Sequence, residues 1–328
     1  MTLTVETCRR ADLTGRLRLP ADVFLCCASF ESRCRAVADA IPPEAVRKVL
    51  VADNRNLAEY VGDNAAYLRD RFAPRARDVA LDSHDPLVTA DSLQEALNSV
   101  ASDEPMRYLV DITTFTHESL LILYRLLTLH TKAEDDVTLV YTNTADYCPG
   151  DNPEGKWLSK GVAEVRSVLG YPGEMIPSKK THLVILVGYE RERALALIGV
   201  FQPNLLSLGY GKAGSSHSLK HYEANRYFHK LVAQAAATYG MVSEFEFSCN
   251  DPWETKQTIM GCIAGASDCN HILAPMNTKI STLGSALVAN VDGTVQLCYA
   301  QPLQYNYSNY STPGEMCYFM NLRQLATP

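Results

Sequence analysis

Asn277, Thr278 and Lys279 separate an apolar run from a small-residue run in "HILAPMNTKISTLGSALVAN", residues 271–290. An amide, a hydroxyl and an ammonium at that point face the free N–H groups of a helix's first turn, a combination that suits an anion. Similar residues follow other apolar runs. In the first half they are Ser29, Phe30, Glu31 and Arg33, then Asp53 and Asn54, then Asp111, Thr113, Thr114, Thr116 and His117 in "DITTFTHE". In the second half they are Gly188, Tyr189, Glu190, Arg191 and Arg193, then Lys212, then Asn277, Thr278, Lys279 and Ser281. Hydroxyls, amides and a few cations suit phosphate, and Phe30 and Tyr189 have rings on which bases can stack. His117 is of the type that transfers protons near neutral pH. Thr, Asn, Asp and Ser also cap helices and fill turns everywhere, so a structural role stands beside the binding role at each position. The arginines near Glu31 and Glu190 read as ion-pair partners that orient those loops.

Three further patterns bear on chemistry. Gly209 to Gly214, "GYGKAG", satisfies G-x-G-x-x-G between a strand and a helix. It follows the second strand of its half rather than the first and lacks the later acidic residue that a ribose needs, so a turn cradling some phosphate with Lys212 is preferred to nicotinamide binding. His217, His221 and His229 share one predicted helix. Without an intervening catalytic Glu or a further ligand, they read as a solvated face rather than a metal site. The chain has neither a G-x-S-x-G elbow nor a complete Walker motif. No cofactor and no metal are expected.

These residues must be held by a repeating framework. Apolar strand-like runs recur at 22–28, 48–53, 107–112 and 137–142, then at 182–188, 205–209, 270–274 and 294–299, with helical spacing between them. Phe30-Glu31 matches Tyr189-Glu190, and Tyr141, Asn143 and Tyr147 match Tyr299, Gln301 and Tyr305 in the same order. The expected fold is α/β, two duplicated Rossmann-like lobes with mostly parallel sheets. The boundaries read are 1–150 for the first lobe, 151–180 for a Pro-, Gly- and Lys-rich linker with a short helical insert, and 181–328 for the second lobe. Open parallel sheets bind ligands outside the carboxyl ends of their strands. Two lobes packed by pseudo-twofold symmetry would combine those ends into one interlobe cleft.

Composition narrows the partners. The 328 residues are 47% hydrophobic and 20% charged, which is a globular composition, and the net charge of −7 argues against a broad duplex-binding surface. The ten cysteines form no CxxC pair and fall largely in apolar runs, so they read as reduced core residues. The N-terminus lacks the apolar stretch of a signal peptide, and the longest apolar run, "LLILYRLLTL", is short and broken by Arg125. A cytoplasmic protein without a membrane span is expected.

Residues 271–305 resemble the closing segment of SAVED domains, in which a strand enters a Pro-containing turn, a small-residue helix follows and a last strand ends in Tyr. Here those are Pro275, Gly284 and Tyr299. SAVED domains look like two fused copies of the CRISPR-associated Rossmann fold (CARF). In that wider family the turn carries an Asp/Asn-hydroxyl-Gly-Gly-Thr-Lys pattern, to which "DITTFTHES" at 111–119 and "MNTKIST" at 276–282 are similar. Neither turn has the Gly-Gly, and His117 stands where Lys is expected. The resemblance implies a sensor of cyclic oligonucleotide second messengers in bacterial antiviral defence. With two lobes filling the chain, it implies a stand-alone subunit signalling to a separate effector protein, with ligand-dependent self-association as one route. The alternative is an enzyme that cleaves such nucleotides in the same cleft with His117 as the acid or base.

Overall fold

The computed structural model describes residues 5–148, 155–239 and 241–326. The chain divides into two compact units, Met1–Ala145 with Ser311–Thr327, and Asp146–Tyr310. The first unit runs β1 (Glu6–Arg9), β2 (Ala21–Cys27), α1 (Ala36–Asp39), β3 (Val46–Asn54), α2 (Ala58–Arg71), β4 (Ala76–Leu81), α3 (Pro86–Val100), β5 (Arg107–Asp111), α4 (His117–His130) and β6 (Asp136–Tyr147). The second runs β7 (Ser159–Ser167), β8 (Lys180–Leu186), α5 (Arg191–Phe201), β9 (Leu205–Gly211), α6 (Leu219–Ala236), β10 (Met241–Phe247), α7 (Pro252–Ala264), β11 (Cys269–Pro275), α8 (Lys279–Val291) and β12 (Gln296–Tyr305). The chain then returns to the first unit as β13 (Ser311–Asn321) and α9 (Leu322–Ala326).

The sheet orders are β1-β13-β6-β5-β2-β3-β4 and β10-β9-β8-β11-β12-β7. Apart from β1 they are the same arrangement. Strands β4-β3-β2-β5-β6 pair in parallel, as do β10-β9-β8-β11-β12. In each unit the first parallel strand is central, the next runs to one side and the fourth to the other. The topological switch point therefore lies between β2 and β5 in the first unit and between β8 and β11 in the second. The α/β fold with two Rossmann-like, mostly parallel sheets is thus as read from the sequence.

The boundaries differ. The sixth place in the second sheet is taken by β7, antiparallel to β12, although β7 follows β6 in the chain. The sixth place in the first sheet is taken by β13, which follows β12. The lobes thus exchange their last strands, and neither 1–150 nor 181–328 is a complete unit. Residues 149–154, at the expected lobe boundary, lie outside the described residues. The expected linker 151–180 contains β7 at 159–167, an exposed edge strand whose Val162 and Val165 mimic helical spacing. Edge strands β4 and β10 also escape an apolar-run search, because exposed polar residues interrupt them.

Each sheet has its own core. Phe24, Val49, Leu68, Phe72 and Phe319 cluster in the first unit, with the Phe24 and Phe72 rings 5.6 Å apart. Leu183, Ile185, Leu197, Leu206 and Ile272 cluster in the second. All ten cysteines are free thiols, and nine are buried. Burial pushes Cys34 up to about 12 and Cys249 and Cys317 up to about 11, which keeps them unreactive. Among the described residues no helix is long and apolar enough to cross a membrane.

Candidate ligand site at the carboxyl ends of the strands

A buried ion pair supports the strand ends in each unit. Arg33 donates from Nε and Nη2 to one Glu31 oxygen at 3.0 and 2.6 Å and from Nη1 to the Thr142 carbonyl at 3.1 Å. Arg193 donates to Glu190 and to the Ala300 carbonyl. Thr142 and Ala300 follow the matched Tyr141 and Tyr299. The serine that opens each exchanged strand, Ser311 or Ser159, donates to the same glutamate, Glu31 or Glu190. Both pairs are almost fully buried, so Arg33 is a scaffold residue and not the phosphate ligand expected of it. The reading of these arginines as loop-orienting partners holds for Arg33 and Arg193. Ser159 and Ser311 were missed, because only the strand exchange brings them to a glutamate.

At the first switch point, Asp111 ends β5 and is 1% exposed. One of its oxygens accepts from the Thr113 N–H at 3.0 Å and from the Thr113 hydroxyl at 2.5 Å, while the other has no hydrogen-bond partner. Thr113 Oγ1 also accepts from the Thr142 N–H at 3.0 Å. Thr114 donates to the Cys27 carbonyl at 2.6 Å, tying the β5 turn to β2. Thr116 caps α4 by accepting from the Ser119 N–H, so His117 is the first residue of that helix, buried to 9% exposure. Phe30 is half-buried after β2.

Burial pushes the Asp111 carboxyl up to about 7, against the opposing pull of the Thr113 hydrogen bonds and the Arg33 charge. The folded protein keeps this proton at pH values where the unfolded chain has lost it, so folding stability falls as pH rises from about 4 to about 7 and levels off above that. Urea unfolding across that range is expected to show the slope in the wild type and to lose it in Asp111→Asn. A variant with an unchanged slope would place the proton elsewhere.

The second switch point is more completely tied. Asn277 donates to the Val187 carbonyl at 2.7 Å and accepts from the Cys249 thiol. Thr278 donates to the Cys249 carbonyl at 2.7 Å and caps α8 in a box with Ser281, which is itself fully buried. Asn225 on α6, missed in the sequence, links the Gly211 N–H to the Val187 carbonyl. Tyr189 is 9% exposed, donates to the His221 carbonyl and packs on Tyr147 and Phe228. It is a core residue and not a stacking platform. Lys212 pairs with Glu254 on α7. A Cβ on Gly209 would come within 2.7 Å of the Phe245 ring, and one on Gly211 within 2.2 Å of the Cys249 sulfur. Neighbouring side chains thus account for both glycines and the Lys212 charge, and no phosphate cradle is required. His221 and His229 are buried on the inner side of α6, not on a solvated face. Among the described residues no three His, Cys, Asp or Glu side chains are placed to hold a metal.

Arg191 and Lys279 remain distinctive. Central neighbours β8 and β11 lead into α5 and α8, and those helices begin with Arg191 and Lys279. Arg191 is exposed and Lys279 half-buried. A helix N-terminus carries positive partial charge, so a cation at its first residue is unfavourably placed. Both cations stand beside one switch point.

No family model matches the chain, and neither does any curated protein. Among solved structures it is similar to a putative methyltransferase from Pseudomonas syringae, at 12% identity and a TM-score of 0.26 over 40% of this chain and 72% of that one. It is similar to a putative O-methyltransferase from Nostoc punctiforme at 16% identity and a TM-score of 0.24, over 40% of this chain and 35% of that one. A Haemonchus contortus phosphoethanolamine N-methyltransferase, in complex with phosphoethanolamine and S-adenosylhomocysteine, matches at 8% identity and a TM-score of 0.28, over 81% and 71%. Likeness at this level carries no argument about activity, and the Rossmann-like description rests on the strand orders.

Proposed function

We propose that the chain is a sensor subunit that binds a phosphate-bearing nucleotide, a cyclic oligonucleotide second messenger, at the carboxyl ends of its strands and signals to a separate effector in antiviral defence. One observation carries the reading: the two central strands of the second unit each lead into a helix that begins with a cation, Arg191 or Lys279. Bound phosphate would be held by these side chains together with the N–H groups of the helix ends. The resemblance of residues 271–305 to SAVED domains supplies the ligand class. Binding can shift a signalling equilibrium only as far as the ligand prefers one state over the other.

The test is a thermal-shift screen against cyclic di-, tri- and tetranucleotides, NAD and linear controls, with chromatography of each ligand afterwards. A cyclic nucleotide that stabilises the protein and is recovered intact supports a sensor. Linearised product that disappears in His117→Ala makes it an enzyme, and no shift with any cyclic compound removes the reading. Lys279→Ala and Arg191→Ala are each expected to weaken ligand binding roughly ten- to a hundredfold, as loss of a charge-assisted hydrogen bond does. Arg191→Ala should not lower the melting temperature of the free protein, because removing an exposed cation from a helix N-terminus relieves the dipole.

A further inference from the structure

A cavity of about 270 Å³ opens beside the amino-terminal ends of the first unit's parallel strands, on the other side of the sheet from Asp111 and His117 along the strand direction. It is lined by Arg16 and Arg18, from the segment before β2, and by Arg323 on α9, with Thr138 of β6 and Phe319 of β13. Glu6 is its one acidic lining residue, and it is exposed. Three exposed arginines thus line one hollow in a chain whose net charge is −7, with Arg323 Nη2 also donating to the Lys132 carbonyl at 3.4 Å. Arg18 is partly neutralised by Asp136 at 3.5 Å, whereas the Arg16 side chain makes no hydrogen bond or ion pair among the described residues.

Thr138 is an independent observation. It is 7% exposed, it lines the cavity, and its hydroxyl has no hydrogen-bond partner among the described residues. The hydroxyl itself is not sealed off but opens at the cavity wall, where it can donate to or accept from a bound ligand. Guanidinium forks match the paired oxygens of phosphate, and the cavity has room for a small molecule only.

We propose that this cavity is a binding site for a small phosphate-bearing anion, held by Arg16, Arg18 and Arg323 and hydrogen-bonded by Thr138. It is separate from the strand carboxyl ends and does not depend on the function proposed for them.

Calorimetric titration of the full chain with inorganic phosphate and with adenosine 5′-monophosphate, at low salt, tests it. Binding is expected to weaken at least tenfold in Arg16→Ala and in Arg323→Ala, a factor of ten being about 1.4 kcal/mol. Thr138→Val should weaken it severalfold without lowering the melting temperature, and Glu6→Gln should tighten it. Lys279→Ala should leave it unchanged, which separates this site from the other. Equal affinity for the two probes means that phosphate alone is recognised, and tighter nucleotide binding means that the Phe319 side of the cavity contributes. Affinities weaker than about 1 mM for both probes, or arginine variants that bind as the wild type does, overturn the proposal.

Discussion

Deletion of residues 311–328 is expected to unfold the first unit, the one built mostly from the opposite end of the chain. The deletion removes β13, which lies between β1 and β6 in the first sheet, and α9. It removes Phe319, Met320, Leu322 and Leu325 from buried positions and Cys317 from the core cluster. At roughly 1.5–3 kcal/mol for each large apolar side chain, this loss is comparable with the whole stability of a domain, about 5–15 kcal/mol. It also strips Ser311 from the Glu31–Arg33 pair, the Met316 N–H from Asn143 and the Thr312 carbonyl from Thr144. The second unit keeps all six of its strands. Hydrogen exchange should therefore show protection lost in β2, β5 and β6 and retained in β8, β9 and β11. Retained protection in β5 and β6 would mean that β13 is dispensable and the strand exchange incidental.

The duplication could be read because central parallel strands, covered on both faces, are continuous apolar runs. The T-x-x-S spacing at Thr116-Ser119 and Thr278-Ser281 likewise predicts a helix start, and both threonines cap as that chemistry requires. The small-residue pattern around Gly284 has a packing cause, since a Cβ there would come within 2.6 Å of Thr255 on α7. The strand exchange could not be read. A short connection after β6 or β12 is compatible with a hairpin, and nothing local says that β7 pairs with β12 and β13 joins β6. The same long-range fact hid Ser159 and Ser311. Tyr189 looked like an exposed aromatic because it follows a strand directly, but α6 and Tyr147 cover it. Residue type and spacing therefore placed these residues at the carboxyl ends of the strands, where the structure has them. Which side chains are used up at those ends depends on partners 31 to 280 residues away, as with Glu190 and Ser159 or Glu31 and Ser311.

Arg193→Met is expected to destabilise the protein by about 3–5 kcal/mol, more than any other single substitution considered above. Arg193 is 3% exposed, donates to Glu190 and to the Ala300 carbonyl, and lies with its guanidinium carbon 4.9 Å from the centre of the Tyr299 ring. Methionine can fill much of the space, so the change isolates loss of charge and hydrogen bonding rather than volume. It leaves Glu190, 7% exposed, with only the Ser159 hydroxyl on its carboxylate among the contacts described above. A buried carboxylate without its counter-ion is the costly state, not the absence of the pair. Glu190→Gln combined with Arg193→Met should therefore be closer to the wild type than Arg193→Met alone, with a coupling of roughly 0.5–3 kcal/mol in urea unfolding. Lysine at 193 should rescue little, because an ammonium cannot reach carboxylate and carbonyl in the planar geometry of a guanidinium. Arg33→Met should show the same sign in the first unit, where Arg33 joins Glu31 to the Thr142 carbonyl. If Arg193→Met costs less than about 1 kcal/mol, the pair is better solvated than its burial implies. Arg193 would then be available to a ligand at the end of β8, as a binding residue rather than a scaffold one.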